Sequence, residues 1–323
     1  MIFFRDLSDF QSDVPTAVTI GKFDGLHRGH LKLLKKIREE GADCTRIMLR
    51  INPGSSSSVL SSDEFASLAG SEGIDIIVNC PFTEQLRTMS PETFIREILV
   101  GKMHASHVCV GEDFRFGKDR KGDALTLTAL CQSLGIRTSV VEKVCFRGSK
   151  ISSSKVRDAI REGDMELVSA LMGRHFPISG TVVHGDHIGT GMGMPTINVI
   201  PQPGKLLPPY GVYFSQIRSD GEIMNGITNL GVRPTVDGSR CRSETFLYDV
   251  SKDLYGHSVM IQLLRFVRPE KKFSSLEELR SQAARDMEAG REYFLEQGIM
   301  GCEPGPGRVG TDLSGSGSGC EVL

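Results

Sequence analysis

The chain has 323 residues, more than one ordinary domain holds, and 39% of them are hydrophobic, enough to bury two cores. Its formal net charge of −2 leaves no overall basic field, which argues against a nucleic-acid scaffold and confines phosphate binding to local sites. The opening Met-Ile-Phe-Phe is cut short by Arg5 and Asp6, and the eight cysteines form no C-x-x-C pair, so reduced thiols in a cytoplasmic protein are expected rather than a membrane span, a zinc ribbon or a dithiol site.

From residue 17 to about 144, apolar stretches and helical spacings alternate. Residues 17–20 are rich in β-branched side chains and run into turn formers, as a buried strand does. Leu31, Leu34 and Ile37 then mark one face of a helix that ends at Gly41. His27 and His30 fall at the junction, where unpaired backbone N–H groups and the helix dipole favour an anion. Further strands are expected over 45–51, 74–80, 106–110 and 136–144. Helices lie between them, such as 91–99 with Ser90 as its cap and Pro91 in its first turn. This alternation predicts a doubly wound parallel sheet with ligands at the carboxyl ends of its strands. Two more helices follow, over 156–162 behind a run of serines and over 165–172 between Asp164 and Gly173.

Beyond them the character of the chain changes. Short β-rich runs at 178–183, 196–200, 212–217, 222–228, 244–250 and 258–266, with turn signals and no helices between them, predict an antiparallel barrel and a domain boundary near Phe176. A last helix begins after Phe273, with Ser275 and Glu278 at capping-box spacing. Its face of Leu276, Leu279, Ala283 and Met287 is expected to pack on the barrel. From residue 301 glycine and serine dominate without apolar pattern, as in disordered or appended sequence.

The string Gly21-Lys22-Phe23-Asp24-Gly25-Leu26-His27-Arg28-Gly29-His30 resembles the signature of the HxGH nucleotidyltransferases, in the FMN adenylyltransferase branch with its Phe-Asp-Gly lead-in. The resemblance implies attack of a phosphate oxygen on the α-phosphate of ATP, with pyrophosphate leaving and positive donors aimed at the developing charge. It implies His27 and His30 as those donors, Gly21, Phe23, Asp24 and Gly25 in the substrate site, and Gly29 as room for the phosphates. The string over 110–123 is similar to a pocket-shaping loop of the same family and implies Asp113, Phe114 and Arg120. Ile151-Ser152-Ser153-Ser154-Lys155-Val156-Arg157 resembles the element that holds ATP phosphates and implies Ser153 and Arg157. One departure stands out: where the family carries T-F-x-P-H-P, this chain has Arg50-Ile51-Asn52-Pro53-Gly54-Ser55, without the histidine.

A second series begins at Gly193-Met194-Pro195-Thr196-Ile197-Asn198, which resembles the G-x-P-T-A-N signature of riboflavin kinases. By that resemblance Thr196 and Asn198 help hold Mg²⁺ and ATP, and Gly185, Gly189 and Gly193 let the backbone wrap the phosphates. Glu244-Thr245-Phe246 and Arg268-Pro269-Glu270-Lys271-Lys272-Phe273 continue the likeness. They imply Glu244 as general base and Arg268 and Phe273 beside the isoalloxazine ring.

The order of the two series is that of the bifunctional riboflavin kinase/FMN adenylyltransferase family. Residues 1–176 are therefore expected to form an α/β adenylyltransferase domain, 177–298 a six-stranded kinase barrel with a C-terminal helix, and 299–323 a tail. Riboflavin, FMN and ATP are the implied substrates, FAD the final product and Mg²⁺ the metal, with no nucleic-acid or membrane partner and the oligomeric state left open. The departure at 50–55 keeps a kinase-only enzyme as an alternative, and a flavin-binding regulator without turnover is another.

Overall fold

A computed structural model describes residues 1–52, 57–185, 196–235, 238–250 and 252–299. The tail expected from 299 onward lies outside them except for Ile299 itself.

The first half is a parallel six-stranded sheet. Its strands are β1 (Ile2–Phe4), β2 (Thr16–Gly21), β3 (Thr45–Asn52), β4 (Ile76–Pro81), β5 (Ala105–Gly111) and β6 (Arg137–Val141). They lie in the order β1-β4-β3-β2-β5-β6. Strand β2 is central and buried along almost its whole length, which suits an apolar run covered on both faces. From β2 the chain steps outward to β3 and β4, then crosses back to lay β5 on the other side of β2. The carboxyl ends of β2 and β5 therefore flank the point where strand order reverses, the crevice where open α/β sheets bind ligands.

The helices covering this sheet are α1 (Arg28–Glu40), α2 (Ser62–Ser71), α3 (Ala124–Ser133), α4 (Ser153–Glu162) and α5 (Met165–Met172). The termini follow the sequence signals. Ser90 Oγ accepts the Thr93 N–H at 3.1 Å, and Asp164 caps α5 through the Leu167 N–H at 2.9 Å. The helix after Ser90 does not keep α geometry, however. From Phe94 to Lys102 it widens to π-helical spacing and buries Phe94, Ile95, Ile98 and Leu99. Strand β1 was not expected. Three residues carry no readable period, and only pairing with β4 (Ile2 opposite Ile76) makes them a strand.

The second half is a closed antiparallel barrel. Its strands are β7 (Phe176–Val183), β8 (Thr196–Val199), β9 (Gly211–Ser219), β10 (Glu222–Thr235), β11 (Gly238–Leu247) and β12 (Ser258–Pro269), in the order β7-β8-β11-β10-β9-β12. All six expected strands exist, but two are displaced. The run at 222–228 continues to Thr235, and the run at 244–250 starts earlier, at Gly238, and ends at Leu247. The outer half of this hairpin carries Gly231, Arg233, Pro234 and Gly238, residues that read as loop until cross-strand pairing overrides their propensity.

Helix α5 packs on β7 and β12. One apolar cluster runs from Leu34 and Ile37 through Ile160 and Met172 into the barrel at Phe176, Tyr213 and Ile261. The last helix, α6 (Leu276–Glu296), begins at Ser275, whose Oγ accepts the Glu278 N–H at 3.1 Å. The returning arm of the expected capping box reaches one residue further back: the Glu278 carboxylate accepts from Ser274. The helix is fastened at its far end, where buried Phe294 and Tyr293 pack on Phe214 and the Tyr248 hydroxyl donates to Met287 O at 2.6 Å. At Gly290 a Cβ would overlap that hydroxyl. Gly290→Val should therefore cost about 1–3 kcal/mol by overpacking, seen as an earlier urea midpoint in far-UV circular dichroism; an unchanged midpoint would mean the contact is loose.

Candidate active sites in the two domains

The first site is built on the turn between β2 and α1. Phe23, Gly25 and Leu26 adopt left-handed backbone (φ 51°, 79° and 41°), which swings the chain sharply into the helix. The turn is tied down from several sides. The Arg174 guanidinium donates to Gly25 O at 2.6 Å and to Leu26 O at 2.8 Å. Asp24 accepts the Val59 N–H at 3.1 Å and Arg157 Nε at 2.6 Å, and its carbonyl accepts Ser153 Oγ at 3.0 Å.

His27 occupies the cap of α1, and His30 lies one turn inside. Their rings stack with centroids 3.7 Å apart and planes 18° from parallel. A Cβ on Gly29 would approach the His27 ring to 3.2 Å, so this glycine makes room for the imidazole. Gly29 also lines a cavity beside the rings, where the motif implies room for phosphate. The Nδ1 atoms of both rings are buried without a hydrogen-bond partner. Burial lowers His27 from its ordinary 6.5 to about 4, and burial with the neighbouring His27 and Arg174 holds His30 well below its ordinary value. At neutral pH both rings are therefore uncharged. What they offer is a neutral ring N–H, where the resemblance implies positive donors.

The two histidines open onto a cavity of about 590 Å³ at the ends of β2 and β5. Gly21, Phe23, Asp113, Phe114, Arg120 and Ser153 line it, as their motifs imply. Asp24, Gly25 and Arg157 do not. Arg157 is taken up by Asp24 and by Ser57 O at 2.6 Å, so in this structure it holds the turn. Sequence reasoning missed Lys22, Arg115 and Lys143 in the wall, the last bound to Asp113 at 2.9 Å. Lys22 stands inside the recognised string; Arg174 has no local signal at all. Of the departing segment, Ile51 lines the cavity while Arg50 stacks 4.3 Å from the Phe65 ring centre. Residues 53–56 lie outside the described residues.

The second site is set by sheet register. Asn198 on β8 pairs with Glu244 on β11, which pairs with Asn229 on β10, so the three side chains share one face of the barrel. Thr196, two residues before Asn198, shares that face, with Phe246 opposite. A cavity of about 950 Å³ lies between this face and α6, lined by Thr196, Asn229, Glu244, Phe246, Arg268 and Phe273 among others. Leu276, Leu279, Ala283 and Met287 form its far wall. The helix face expected to close against the barrel thus borders a space. Arg268 is fixed by Asp286 of α6, at 2.6 Å from Nη2 and 3.0 Å from Nε, with its guanidinium 6.0 Å from the Phe273 ring centre.

The donor set fits a hard cation. Asn198 is buried and its Oδ1 has no hydrogen-bond partner, and Thr196 supplies a hydroxyl on the same face. Gly185 lies flat on the Asn198 amide, where any Cβ would overlap it. Gly189 and Gly193 lie outside the described residues. Among the described residues no three His, Cys, Asp or Glu side chains gather into a metal cluster, and no helix is long and apolar enough to cross a membrane.

Comparison with known proteins finds a match in each part of the chain. A FAD synthetase family model matches residues 9–155, and a riboflavin kinase family model matches 172–294. The bifunctional riboflavin kinase/FMN adenylyltransferase of Escherichia coli (strain K12) is 36% identical over 289 residues, covering 86% of this chain and 92% of that protein. The protein of the same name from Bacillus subtilis (strain 168) is 31% identical over 303 residues, covering 88% and 94%. A solved structure named as a macrolide-efflux protein from Streptococcus pneumoniae superposes with a TM-score of 0.78 at 26% identity, covering 90% of this chain and 98% of that one. The chain belongs to the bifunctional riboflavin kinase/FMN adenylyltransferase family, an enzyme that makes FMN and FAD.

Proposed function

We propose that the cavity of the parallel-sheet domain adenylylates FMN and that the barrel cavity phosphorylates riboflavin, each with its own ATP. The observation that carries this assignment is the separation of chemistries. Stacked imidazoles at a strand switch point face one cavity, and a carboxylate in an oxygen-donor row faces the other.

In the barrel, Glu244 accepts the proton of the riboflavin 5′-hydroxyl as that oxygen attacks the γ-phosphorus of ATP and ADP leaves. Thr196 and Asn198 would hold Mg²⁺, which when bound offsets phosphate charge. Arg268, held by Asp286, and Phe273 bound the space open to the flavin ring. In the other domain an oxygen of the FMN phosphate, already ionised, attacks the α-phosphorus and pyrophosphate leaves, so no base is needed. His27 and His30 donate N–H bonds to oxygens that gain charge, while Lys22, Arg120 and Lys143 supply fixed positive charge around them.

Incubating the protein with riboflavin, ATP and Mg²⁺ and separating the flavins tests the whole scheme. FAD is expected, FMN alone would mark a kinase-only enzyme, and unchanged riboflavin a regulator. His30→Ala should slow FAD formation by about 10²–10³ while riboflavin is still consumed, so that FMN accumulates. Glu244→Gln should slow phosphorylation by roughly 10²–10⁴ and leave FMN supplied directly to become FAD at the parental rate. The histidine burial has its own signature. Between pH 6.5 and about 4 the unfolded chain binds a proton at His27 that the folded chain refuses, so stability falls as pH falls through that window. The loss reaches about 3 kcal/mol for this one group. His27→Gln should flatten the dependence of Tm on pH there, and an equally steep slope in the variant would refute the buried neutral ring.

A further inference from the structure

The barrel and the sheet domain are joined by a link that neither reaction scheme uses. Lys205 stands in the connection from β8 to β9 of the barrel, and its side chain is only 1% exposed. Its ammonium is paired with the Glu64 carboxylate of α2, donates to Val59 O at 3.1 Å, and sits 4.6 Å from the ring centre of Phe176. Glu64, 2% exposed, is engaged on both oxygens, accepting the Ser61 N–H and, from β7, the Ser179 N–H, each at 2.9 Å. The backbone adds a bridge, Ser58 N–H to Gly204 O at 2.8 Å and Leu206 N–H to Ser58 O at 2.7 Å. A pair this deeply buried stabilises little more than apolar side chains of the same size would, so what it adds is a defined geometry.

The stretch it holds, residues 57–60, is the same one that braces the first site from the opposite side. Val59 N–H binds the Asp24 carboxylate, Ser57 O binds Arg157, and the Val59 side chain abuts the position of Gly25, 3.1 Å from where a Cβ would stand. A barrel residue, four residues of the sheet domain and the turn that carries His27 thus form one chain of contacts.

We propose that Lys205, a residue of the kinase barrel, is a positioning residue for adenylylation in the other domain. It fixes residues 57–60, these fix Asp24, and Asp24 fixes the turn into α1. The inference rests on the assignment of the adenylylation site to His27 and His30, and the test separates the two.

The test uses the full chain carrying Lys205→Met, and a second form, Lys205→Met with Glu64→Gln, which leaves no unpaired buried charge should the single change impair folding. Both steps are assayed separately, riboflavin to FMN and FMN to FAD, well below each variant's Tm. Small misplacement of reacting groups costs up to about 10²-fold. We expect kcat for FAD formation to fall about 10- to 100-fold with KM for ATP within about threefold, and riboflavin phosphorylation to stay within about twofold of the parent. Unchanged FAD formation in a folded variant, or an equal loss in both steps, would overturn the positioning role. His30→Ala in parallel distinguishes the failures: if it too left FAD formation unchanged, the site assignment itself would fall.

Discussion

The carboxylate of Asp24 holds the turn that carries the two histidines in place. One oxygen takes the Val59 N–H, the other the Arg157 guanidinium, and the residue's own carbonyl takes the Ser153 hydroxyl. These bonds matter because the turn they brace is an unfavourable one. Left-handed backbone at Phe23 and Leu26 costs of order 1–3 kcal/mol at each position and persists only where the surroundings over-determine it. Asp24 and Arg174 supply that over-determination, Asp24 through the Val59 N–H and the Arg157 guanidinium and Arg174 through the carbonyls of Gly25 and Leu26. The histidine rings are therefore positioned by the backbone that carries them.

The barrel solves the same problem by register. Asn198, Glu244 and Asn229 come into one row because three antiparallel strands pair in step. A slip of one residue in β11 would send Glu244 to the opposite face of the sheet. Hydrogen-bonded strands resist such a slip cooperatively, so this site needs no network like that around Asp24. Its far wall is α6, fastened through Phe294 and Tyr248 and reaching the cavity through Asp286, which holds Arg268.

Local patterns made most of the fold legible. The strand-to-helix turn, the caps at Ser90, Asp164 and Ser275, and the existence of the six barrel strands all follow from periodicity and punctuation, four of those strands to within a few residues. What escaped was set by distant partners. Strand β1 exists because β4 offers an edge, the outer half of the β10–β11 hairpin because each strand pairs the other, and the roles of Arg174 and Lys205 because the fold brings them beside Leu26 and Glu64. Motif likeness picked out residues that line the first cavity, from Gly21 to Ser153, but it could not separate wall from brace. Asp24, Gly25 and Arg157 belong to the same strings and serve behind the surface. Charge state was illegible too, since the burial that keeps His27 and His30 neutral comes from the packing of the whole turn.

That neutrality has a thermodynamic consequence. Two stacked imidazoles with unpartnered Nδ1 atoms lie side by side in the cavity wall, and negative charge nearby favours the protonated ring. An anion seated beside them would raise both rings back toward their ordinary values, the reverse of what burial does.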